Sequence, residues 1–413
     1  MKSDSTTIDA CRSCGDTRLV SVLDLGSTPL ANRLLRSDEL EAEEPRFPLE
    51  LVFCEGCTLV QLTETVSPEV LFREYVYRSS FSDAFVEHAR RHVETLVAER
   101  SLGAKSLVVE AASNDGYLLQ HFVSRGVPVL GVEPARNIAE IARARGVPTR
   151  AEFFGKELAA ALRAEGLVAD VVLGNNVLAH VPDPNGFVGG AADLIRDDGM
   201  VRFEFPYLGD LLAHLEFDTI YHEHLSYFSA HAIDALFRRN GLIFSDVERI
   251  PVHGGSLRAT GSRAVSGEGR TRVEALLDEE KSRGLNQAAT FTDLSRRVQT
   301  LKHDLRAKLA ELKAAGKRIV AYGASAKGST LLNVFEIGRD TLEWVADRST
   351  AKQGRYTPGT HLEIVGAERL AQEQPDYALL LTWNFAEEIL AQQQAYRSAG
   401  GRFIVPLPDV RIV

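Results

Sequence analysis

Two closely spaced pairs of cysteines constrain the start of this chain more than any other feature. Cys11 and Cys14 form one C-x-x-C pair, Cys54 and Cys57 form the second, and the 413 residues contain no other cysteine. Two thiolates on one turn can reach the same metal ion, and a second pair completes a tetrahedron. The long spacing between the pairs predicts two intervening strands. Because four protein ligands leave zinc no open position, we expect the ion to be structural.

Two disulfides or four unrelated thiols are the alternatives to a zinc site. No signal peptide precedes the cysteines, so we expect a cytoplasmic protein, in which disulfides rarely persist. Neither pair lies in a thioredoxin-like βαβ pattern, which argues against redox catalysis. The net charge of −10 argues against a general nucleic-acid surface. No apolar run reaches the roughly 18 residues of a membrane-spanning helix. We therefore expect a monomer that binds neither nucleic acid nor a membrane.

Beyond the cysteines, apolar strands alternate with helical segments, which is typical of doubly wound parallel sheets. Strands are predicted at 106–110, 129–133, 169–173 and 200–204, and the alternation restarts with strands at 318–322, 342–347, 377–382 and 402–406. Apolar residues at intervals of three and four predict a long helix over 291–315 between the two sets. The prediction is an α/β protein with a zinc-binding module over 1–70 and two Rossmann-like domains over 71–290 and 291–413.

The turn after the first predicted strand indicates a cofactor site. Glu110 ends this strand, Gly116 ends the turn, and Glu133 ends the next strand. Ligands of such sheets bind beyond the carboxyl ends of the strands, where Glu133 suits the hydroxyls of a ribose. Ala112 stands where a dinucleotide site usually has glycine, so this pattern better resembles the class I S-adenosylmethionine methyltransferases. An ordinary βα turn capped by polar side chains is the alternative.

The predicted cofactor-binding residues lie after three of these strands. They are Glu110, Ala112, Asn114, Asp115, Gly116, Glu133, Pro134, Asn175, Asn176, Val177 and His180. The asparagine side chains can hydrogen-bond the methionyl or adenosyl part of such a cofactor. For His180 alone, a packing role is an equal alternative.

The densest ionisable stretch of the chain surrounds Tyr221, His222, Glu223 and His224. If the stretch is helical, Tyr221 and His224 share one face. The H-E-H order does not match the H-E-x-x-H pattern of a zinc protease. A histidine can take a proton near neutrality, and a tyrosine can donate to a developing enolate oxygen. The stretch therefore predicts acid–base chemistry, with a metal site or a solvated surface helix as alternatives.

Taken together, these motifs resemble the nucleotide-sugar C-methyltransferases of deoxysugar biosynthesis, most closely the members that methylate C3. The resemblance covers nearly the whole chain and rests on the four cysteines and on residues 110–116, 175–183, 221–227, 253–258 and 323–328. It implies S-adenosylmethionine as cofactor and a dTDP-linked 4-keto-deoxysugar as substrate. It also implies that His224, or else His222, removes the C3 proton. The resemblance further implies that Tyr221 stabilises or protonates the C4 oxygen, and that Glu223 contacts the substrate or orients the histidine.

The resemblance extends to the substrate site. The predicted substrate-binding residues are Tyr75, Tyr77, His180, Tyr221, His222, Arg258, Ser325 and Lys327. The turn over 323–328 precedes a predicted helix, so its backbone N–H groups can meet a phosphate. A tight turn with a surface lysine is the alternative there. For the protein as a whole, the alternatives are an NAD(P)-dependent nucleotide-sugar oxidoreductase and a zinc-ribbon interaction protein.

Overall fold

The computed structural model describes residues 5–72, 78–81, 83–252, 254–264 and 267–413, without the side chains of residues 70 and 72. Tyr75 and Tyr77, which we predicted to line the sugar site, lie outside the described residues, as does His253. No helix in the described ranges is both long enough and apolar enough to cross a membrane.

The N-terminal region is built around an antiparallel hairpin. Its elements are β1 (Ser5–Thr7), β2 (Leu19–Thr28), β3 (Phe47–Cys54), β4 (Val60–Leu62), β5 (Glu64–Val66), α1 (Pro68–Phe72) and α2 (Asp83–Arg100). Strands β2 and β3 pair between the two C-x-x-C motifs, which confirms the predicted strand pair, and β3 also pairs with β4. Strands β1 and β5 form a separate two-stranded ladder.

The middle region contains a seven-stranded sheet. Its elements are β6 (Val108–Ala111), α3 (Leu119–Val123), β7 (Val129–Val132), α4 (Arg136–Ala144), β8 (Thr149–Arg150), α5 (Lys156–Ala164), β9 (Ala169–Asn175), α6 (Pro184–Leu194), β10 (Ile195–Pro206), α7 (Leu208–His214), β11 (Ser226–Tyr227), α8 (Ala230–Arg239), β12 (Ile243–Ile250), β13 (Ser256–Ser262) and α9 (Glu268–Ser282). The order is β12-β13-β10-β9-β6-β7-β8, and all pairs from β10 to β8 are parallel. The strand order reverses between β6 and β9, where a ligand is expected.

Strand β11 does not join the seven-stranded sheet. It pairs antiparallel with β4, with Ser226 opposite Gln61 and Tyr227 opposite Val60, and so becomes the fourth strand of the N-terminal sheet. The chain that immediately follows the histidine cluster is therefore fixed to the cysteine-bearing region.

The C-terminal region repeats the parallel arrangement. Its elements are α10 (Leu294–Ala314), β14 (Ile319–Tyr322), α11 (Ala326–Phe335), β15 (Val345–Asp347), β16 (Ile364–Gly366), α12 (Arg369–Glu373), β17 (Tyr377–Leu380), α13 (Ala386–Gln392), α14 (Gln394–Ser398), β18 (Arg402–Val405) and β19 (Arg411–Ile412). The sheet order is β16-β15-β14-β17-β18-β19, and only β19 runs antiparallel to its neighbour. The long predicted helix is confirmed as α10, which buries its apolar stripe and contacts β2.

The predicted fold class is confirmed: an α/β chain with a cysteine-bearing module and two Rossmann-like sheets. Each predicted strand coincides with an observed one, although the ends differ by a few residues. The strands that were not predicted are β1, β4, β5, β8, β11, β12, β13, β16 and β19. The domain boundaries after residues 70 and 290 stay predictions.

Candidate active site

The four cysteines converge on one point. Their sulfur atoms all lie within 4.8 Å of one another, with 3.6 Å between Cys11 and Cys57 and 3.4 Å between Cys14 and Cys54. All four are free, which excludes the two-disulfide alternative in this structure. Tetrahedral Zn–S bonds of about 2.3 Å separate sulfurs by about 3.8 Å. The donor set therefore fits a structural zinc ion with four thiolate ligands.

Hydrogen bonds fasten the first cysteine turn to the seven-stranded unit. Asn185 at the start of α6 donates its side-chain N–H to the carbonyl oxygens of Ser13 (2.7 Å) and Arg12 (3.2 Å). The guanidinium of Arg239, at the end of α8, donates to the Ser13 hydroxyl at 2.9 Å. The metal centre is thus joined to the sheet that carries the predicted cofactor site.

The predicted cofactor residues gather at the carboxyl ends of β6, β7 and β9. Glu110 is fully buried, and no hydrogen-bond partner for either of its carboxylate oxygens is found among the described residues. Burial, together with the charges of Glu133, Asp115 and Glu204, raises the pKa of Glu110 well above its usual value. S-adenosylmethionine carries a positive sulfonium and an ammonium group. Such a cation offsets the clustered carboxylates, so the site fits the cofactor.

The two asparagines after β9 point to the same ligand. In the described part of the chain, Asn175 Oδ1 and both side-chain polar atoms of Asn176 are buried without a hydrogen-bond partner. Asn176 also has a φ of +54°, a strained backbone conformation that the protein retains at this edge. Buried amides normally bind something, so these atoms are suited to the polar groups of a cofactor. Val177 lies beside them and is largely buried.

The turn between β6 and α3 has an unusual backbone. Ala112 and Asn114 have φ values of +55° and +49°, and Gly116 has +77°. Ala112, which stands where a dinucleotide site usually has glycine, thus has a left-handed backbone conformation that residues with a side chain rarely adopt. At Gly116 a Cβ atom would lie 2.9 Å from Val147 Cγ2, so a side chain there would clash.

Glu133 lies at the end of β7, as predicted. Its two carboxylate oxygens accept hydrogen bonds from the backbone N–H groups of Asn114 (3.0 Å) and Ala135 (2.9 Å). The carboxylate therefore connects the turn after β6 to the residues after β7. Burial raises its pKa to about 7, against the effect of these two hydrogen bonds. Pro134 is half-buried next to it.

The segment leading into α2 also contacts the cofactor turn, which the sequence did not predict. The Ser79 N–H donates to Asn114 Oδ1 at 2.9 Å, and the Ser80 hydroxyl donates to Asp115. Arg145 forms an ion pair with Asp115 at 2.9 Å. Predicted cofactor residue Asp115 is therefore occupied on one oxygen by protein groups. Short serine-containing segments carry no sequence signal for such long-range contacts.

Arg258, predicted to bind substrate, lies in a buried ion-pair cluster. Its guanidinium donates to Glu204 (2.9 Å) and Glu248 (2.6 Å), and the ring of His88 on α2 lies 3.1 Å from the Glu204 carboxylate. Burial alone would raise the pKa of Glu204, but the His88 hydrogen bond and the Arg258 charge lower it overall. The structure thus gives Arg258 partners inside the protein, and its substrate role stays a prediction.

The histidine cluster forms a turn rather than a helix. The His224 N–H bonds the Tyr221 carbonyl, which places the Tyr221 hydroxyl 2.9 Å from His224 Nε2. His224 Nδ1 lies 2.8 Å from the Thr219 carbonyl oxygen. A carbonyl only accepts, so Nδ1 carries the hydrogen, and Nε2 of the neutral ring accepts from Tyr221. The turn therefore fixes one tautomer of His224 beside a phenol.

The two residues between them face the cysteine-bearing module. His222 donates through Nε2 to the Pro48 carbonyl at 3.0 Å and packs against Phe47. Burial lowers the pKa of His222, so this ring is neutral near pH 7, and its predicted substrate role stays a prediction. The side-chain amide of Asn32 donates to Glu223 Oε1 at 2.7 Å. Burial raises the pKa of Glu223 to about 7, although the Asn32 hydrogen bond acts in the opposite direction.

His180, which follows β9, lies next to His224. Its ring lies edge-on to His224, with 4.7 Å between ring centroids. Burial lowers the pKa of His180 to about 4, so the ring is neutral near pH 7. The Leu225 N–H also bonds the Ala179 carbonyl at 2.7 Å. These contacts place the predicted cofactor site, at the ends of β6, β7 and β9, next to residues 219–224, the predicted catalytic turn.

The C-terminal unit contacts the residues just before Tyr221 through Trp383 and Lys327. Ser325 accepts the Gly328 N–H as the cap of α11. The Lys327 ammonium lies 5.0 Å from the Trp383 ring centroid and 4.0 Å from Glu216. The Trp383 N–H donates to the Asp218 carboxylate at 2.7 Å, three residues before Tyr221. Lys327 is therefore placed against protein acids, and a phosphate-binding role for it and for Ser325 stays a prediction.

Comparison with known proteins was made against family models, characterised proteins and solved structures. Family models match residues 11–72 as a zinc binding domain, 85–243 as a methyltransferase domain and 251–408 as a C-methyltransferase C-terminal domain. The C-methyltransferase NovU of Streptomyces niveus is 38% identical over 407 residues, which span 98% of this chain and 97% of NovU.

Two solved methyltransferases overlap with part of the chain. Magnesium protoporphyrin IX methyltransferase from Synechocystis, with bound SAH, is 17% identical over 43% of this chain and 83% of its own, with a TM-score of 0.35. The 1,6-didemethyltoxoflavin-N1-methyltransferase of Burkholderia thailandensis is 21% identical over 42% and 77%, with a TM-score of 0.32. The near-complete match to NovU and the three family models carry the assignment: the chain belongs to the family of S-adenosylmethionine-dependent C-methyltransferases.

Proposed function

We propose that this enzyme methylates C3 of a dTDP-linked 4-keto-deoxysugar, in particular a 3-amino-4-keto-2,3,6-trideoxyhexose, in deoxysugar or antibiotic biosynthesis. The observation that carries the proposal is the Tyr221–His224 pair, a phenol and an imidazole 2.9 Å apart next to the cofactor edge of the sheet. A relative named as a C-methyltransferase supports transfer to carbon. Sugar carbons are poor nucleophiles, so the substrate must be activated.

A ketone at C4 supplies that activation. It acidifies the proton on C3, because the carbanion left by deprotonation is an enolate. The enolate carbon then attacks the sulfonium methyl group, the C–S bond breaks, and S-adenosylhomocysteine leaves. The protein must supply a base for the C3 proton, a donor for the C4 oxygen and a positioned cofactor.

His224 and Tyr221 fit the first two requirements. The Thr219 carbonyl holds the hydrogen on Nδ1 and leaves the lone pair on Nε2. When the Tyr221 hydroxyl turns its hydrogen bond from Nε2 to the C4 oxygen, Nε2 becomes free to take the proton from the adjacent C3. The turn favours His224 over His222 as the base, since Nε2 of His224 lies beside the Tyr221 hydroxyl, whereas the His222 ring packs against Phe47 of the cysteine-bearing module.

Glu223 suits the substituent on C3. Its carboxyl group is buried, and the ring nitrogens of His224 lie against other groups, Nδ1 against the Thr219 carbonyl and Nε2 against the Tyr221 hydroxyl. We therefore assign Glu223 to the substrate, where an ionised carboxylate can bind the amino group. Glu110, Glu133, Asn175 and Asn176 would hold the cofactor, which supplies the methyl group when bound.

The test is a methyl-transfer assay with a panel of sugar nucleotides. The enzyme is incubated with S-adenosylmethionine and dTDP-4-keto-deoxysugars that carry an amino or a hydroxyl group at C3, and the products are analysed by mass spectrometry. We expect a gain of one methylene on the 4-keto sugars, fastest on the amino sugar, and none on matched 4-hydroxy sugars. Methylation of the 4-hydroxy sugars would contradict the enolate route.

A melting experiment addresses the alternative of an NAD(P)-dependent oxidoreductase. S-adenosylhomocysteine should raise the melting temperature, because it binds only the folded enzyme, whereas NAD(P) should leave it unchanged. The family match already favours methyl transfer over hydride transfer.

A further inference from the structure

Asn32 crosses from the cysteine-bearing module to the catalytic turn. It follows β2, and its side-chain amide donates to Glu223 Oε1 at 2.7 Å, although the two residues are 191 positions apart. Asn32 itself is exposed, whereas Glu223 is only 5% exposed. A polar side chain at the surface therefore provides a neutral donor to a carboxyl group that is otherwise enclosed.

The surroundings of Glu223 give this single donor unusual weight. An enclosed carboxylate needs hydrogen bonds or a nearby cation to remain ionised. Among the described residues, two effects shift the pKa of Glu223: burial raises it, and the Asn32 hydrogen bond lowers it. By contrast, the buried carboxylate of Glu204 on β10 contacts both His88 and Arg258.

We propose that Asn32 is a positioning residue, which orients the Glu223 carboxylate and keeps it available to the substrate. The proposal rests on the function proposed for Glu223, and it gives the zinc-binding module a direct part in the reaction. The module would act through Asn32 and through the Pro48 carbonyl that holds His222. The metal itself stays outside the chemistry.

The titratable groups around Glu223 come from its own turn and from the elements packed on it. The turn provides Tyr221, His222 and His224, and the end of β9 provides His180, whose ring bonds the Glu223 backbone. Strand β5 provides Glu64, whose charge acts on His222, and β11 provides Tyr227. Because the burial of His180 and His222 lowers their pKa values, neither ring supplies a positive charge to Glu223 near pH 7.

Two substitutions of Asn32 test the proposal without the need for activity. In Asn32→Leu the donor is lost, so the pKa of Glu223 should rise from about 7. In Asn32→Asp the donor is replaced by a negative charge, so the rise should be larger. The measurement is a pH titration of the carboxyl band by infrared spectroscopy with ¹³C-labelled glutamate. Glu223→Gln identifies the band.

Kinetics provide the second measurement. A rise of about one pKa unit lowers the ionised fraction of Glu223 at pH 7 by about five-fold. We therefore expect kcat/KM with the amino sugar to fall about five-fold at pH 7 in Asn32→Leu, mostly through KM. Raising the pH should restore it. An activity loss that does not recover at high pH would overturn the proposal.

Asn185→Leu is the matched control. Asn185 also donates between the cysteine-bearing module and the middle unit, at 2.7 Å to Ser13, but it does not touch Glu223. Its replacement should leave the Glu223 titration unchanged. An unchanged titration in both Asn32 variants would overturn the proposal. A shifted titration in an enzyme that methylates none of the sugar nucleotides would support the contact and refute the proposed substrate instead.

Discussion

At the scale of single residues, a backbone carbonyl sets the tautomer of His224. Thr219 accepts the Nδ1 hydrogen, so the opposite nitrogen carries the lone pair that faces Tyr221. The same geometry separates the two histidines of the motif. His222 donates through Nε2 to Pro48 of the cysteine-bearing module, whereas Nε2 of His224 lies beside the Tyr221 hydroxyl. The two histidines of one tripeptide therefore have different hydrogen-bond partners, and the assignment of His224 as the base stays a prediction.

We predict that His224→Asn lowers kcat by about 10² to 10⁴-fold, the usual contribution of a general base. Affinity for S-adenosylhomocysteine should persist, because the proposed cofactor residues Glu110 and Glu133 belong to β6 and to the residue after β7, not to the turn that carries His224. Turnover is measured with the dTDP-sugar, and affinity by calorimetry. The control is His303→Asn on the exposed face of α10, which should retain full turnover. A His224→Asn enzyme with native kcat would refute the base assignment.

The sequence predicted where ionisable residues cluster better than it predicted their hydrogen-bond partners. Residue types such as tyrosine, histidine and glutamate indicate proton transfer wherever they cluster. Thr219 contributes only its carbonyl oxygen, and Asn32 and Trp383 are remote in sequence, so none of the three has a local signal. Even for Ala112, the residue type did not reveal the left-handed backbone.

At the scale of elements, helix α8 connects the catalytic turn to the rest of the middle unit. It begins three residues after β11, and Ser229 caps its first turn. The buried Glu280 of α9 accepts the N–H groups of Ala230 (2.6 Å) and His231 (3.0 Å). An acid at the amino end of a helix satisfies orphan donors and complements the helix dipole. One side chain of α9 thus fixes the start of α8.

Replacing this acid should open the first turn of α8. We predict that Glu280→Leu destabilises the protein by about 1–3 kcal/mol, because two buried backbone donors lose their acceptor. Hydrogen exchange of the 230–232 amides should accelerate, and the melting temperature should fall. Neighbouring Glu279→Leu is the control, since Glu279 makes exposed ion pairs with Arg249 and Arg283 and should change stability by less than about 1 kcal/mol. Equal effects of the two changes would contradict the capping role.

Element prediction succeeded where strands are apolar and failed where polar residues pair within the sheet. The runs at β6, β9 and β14 are almost wholly apolar and buried. Strand β13 instead carries Arg258 and Thr260, and Thr260 accepts from Arg202 of β10 at 3.0 Å. Such cross-strand pairs satisfy buried polar groups, but they erase the apolar pattern by which a strand is recognised.

At the scale of the whole molecule, three units meet on one short segment. The N-terminal sheet takes β11 as a strand, the middle unit bonds Leu225 through Ala179, and Trp383 of the C-terminal unit bonds Asp218. Burial raises the pKa of Asp218 to about 6, even though Lys327 and Trp383 act against this rise. No single unit could hold residues 217–227 by itself, and a local sequence pattern cannot predict an arrangement made by contacts between distant segments.

This arrangement predicts what removal of the metal does. The four thiolates hold the end of the β2–β3 hairpin at which β2 begins and β3 ends. Strand β4, which follows the second cysteine pair, pairs with both β3 and β11. Chelation should therefore release Asn32, Pro48 and the strand beside the catalytic turn, since a small metal-bound module loses much of its stability without its ion. We expect amide exchange over 219–227 to accelerate at least about ten-fold, together with loss of sugar-nucleotide binding.

The seven-stranded sheet provides the internal control for the same experiment. Its cofactor edge is formed by β6, β7 and β9, which pair with one another rather than with the N-terminal sheet. S-adenosylhomocysteine should therefore still bind and still protect the amides of β6 after chelation, and added zinc should restore sugar binding. If chelation abolished cofactor binding as early as sugar binding, the module would support the whole methyltransferase fold, and its specific link to the catalytic turn would be refuted.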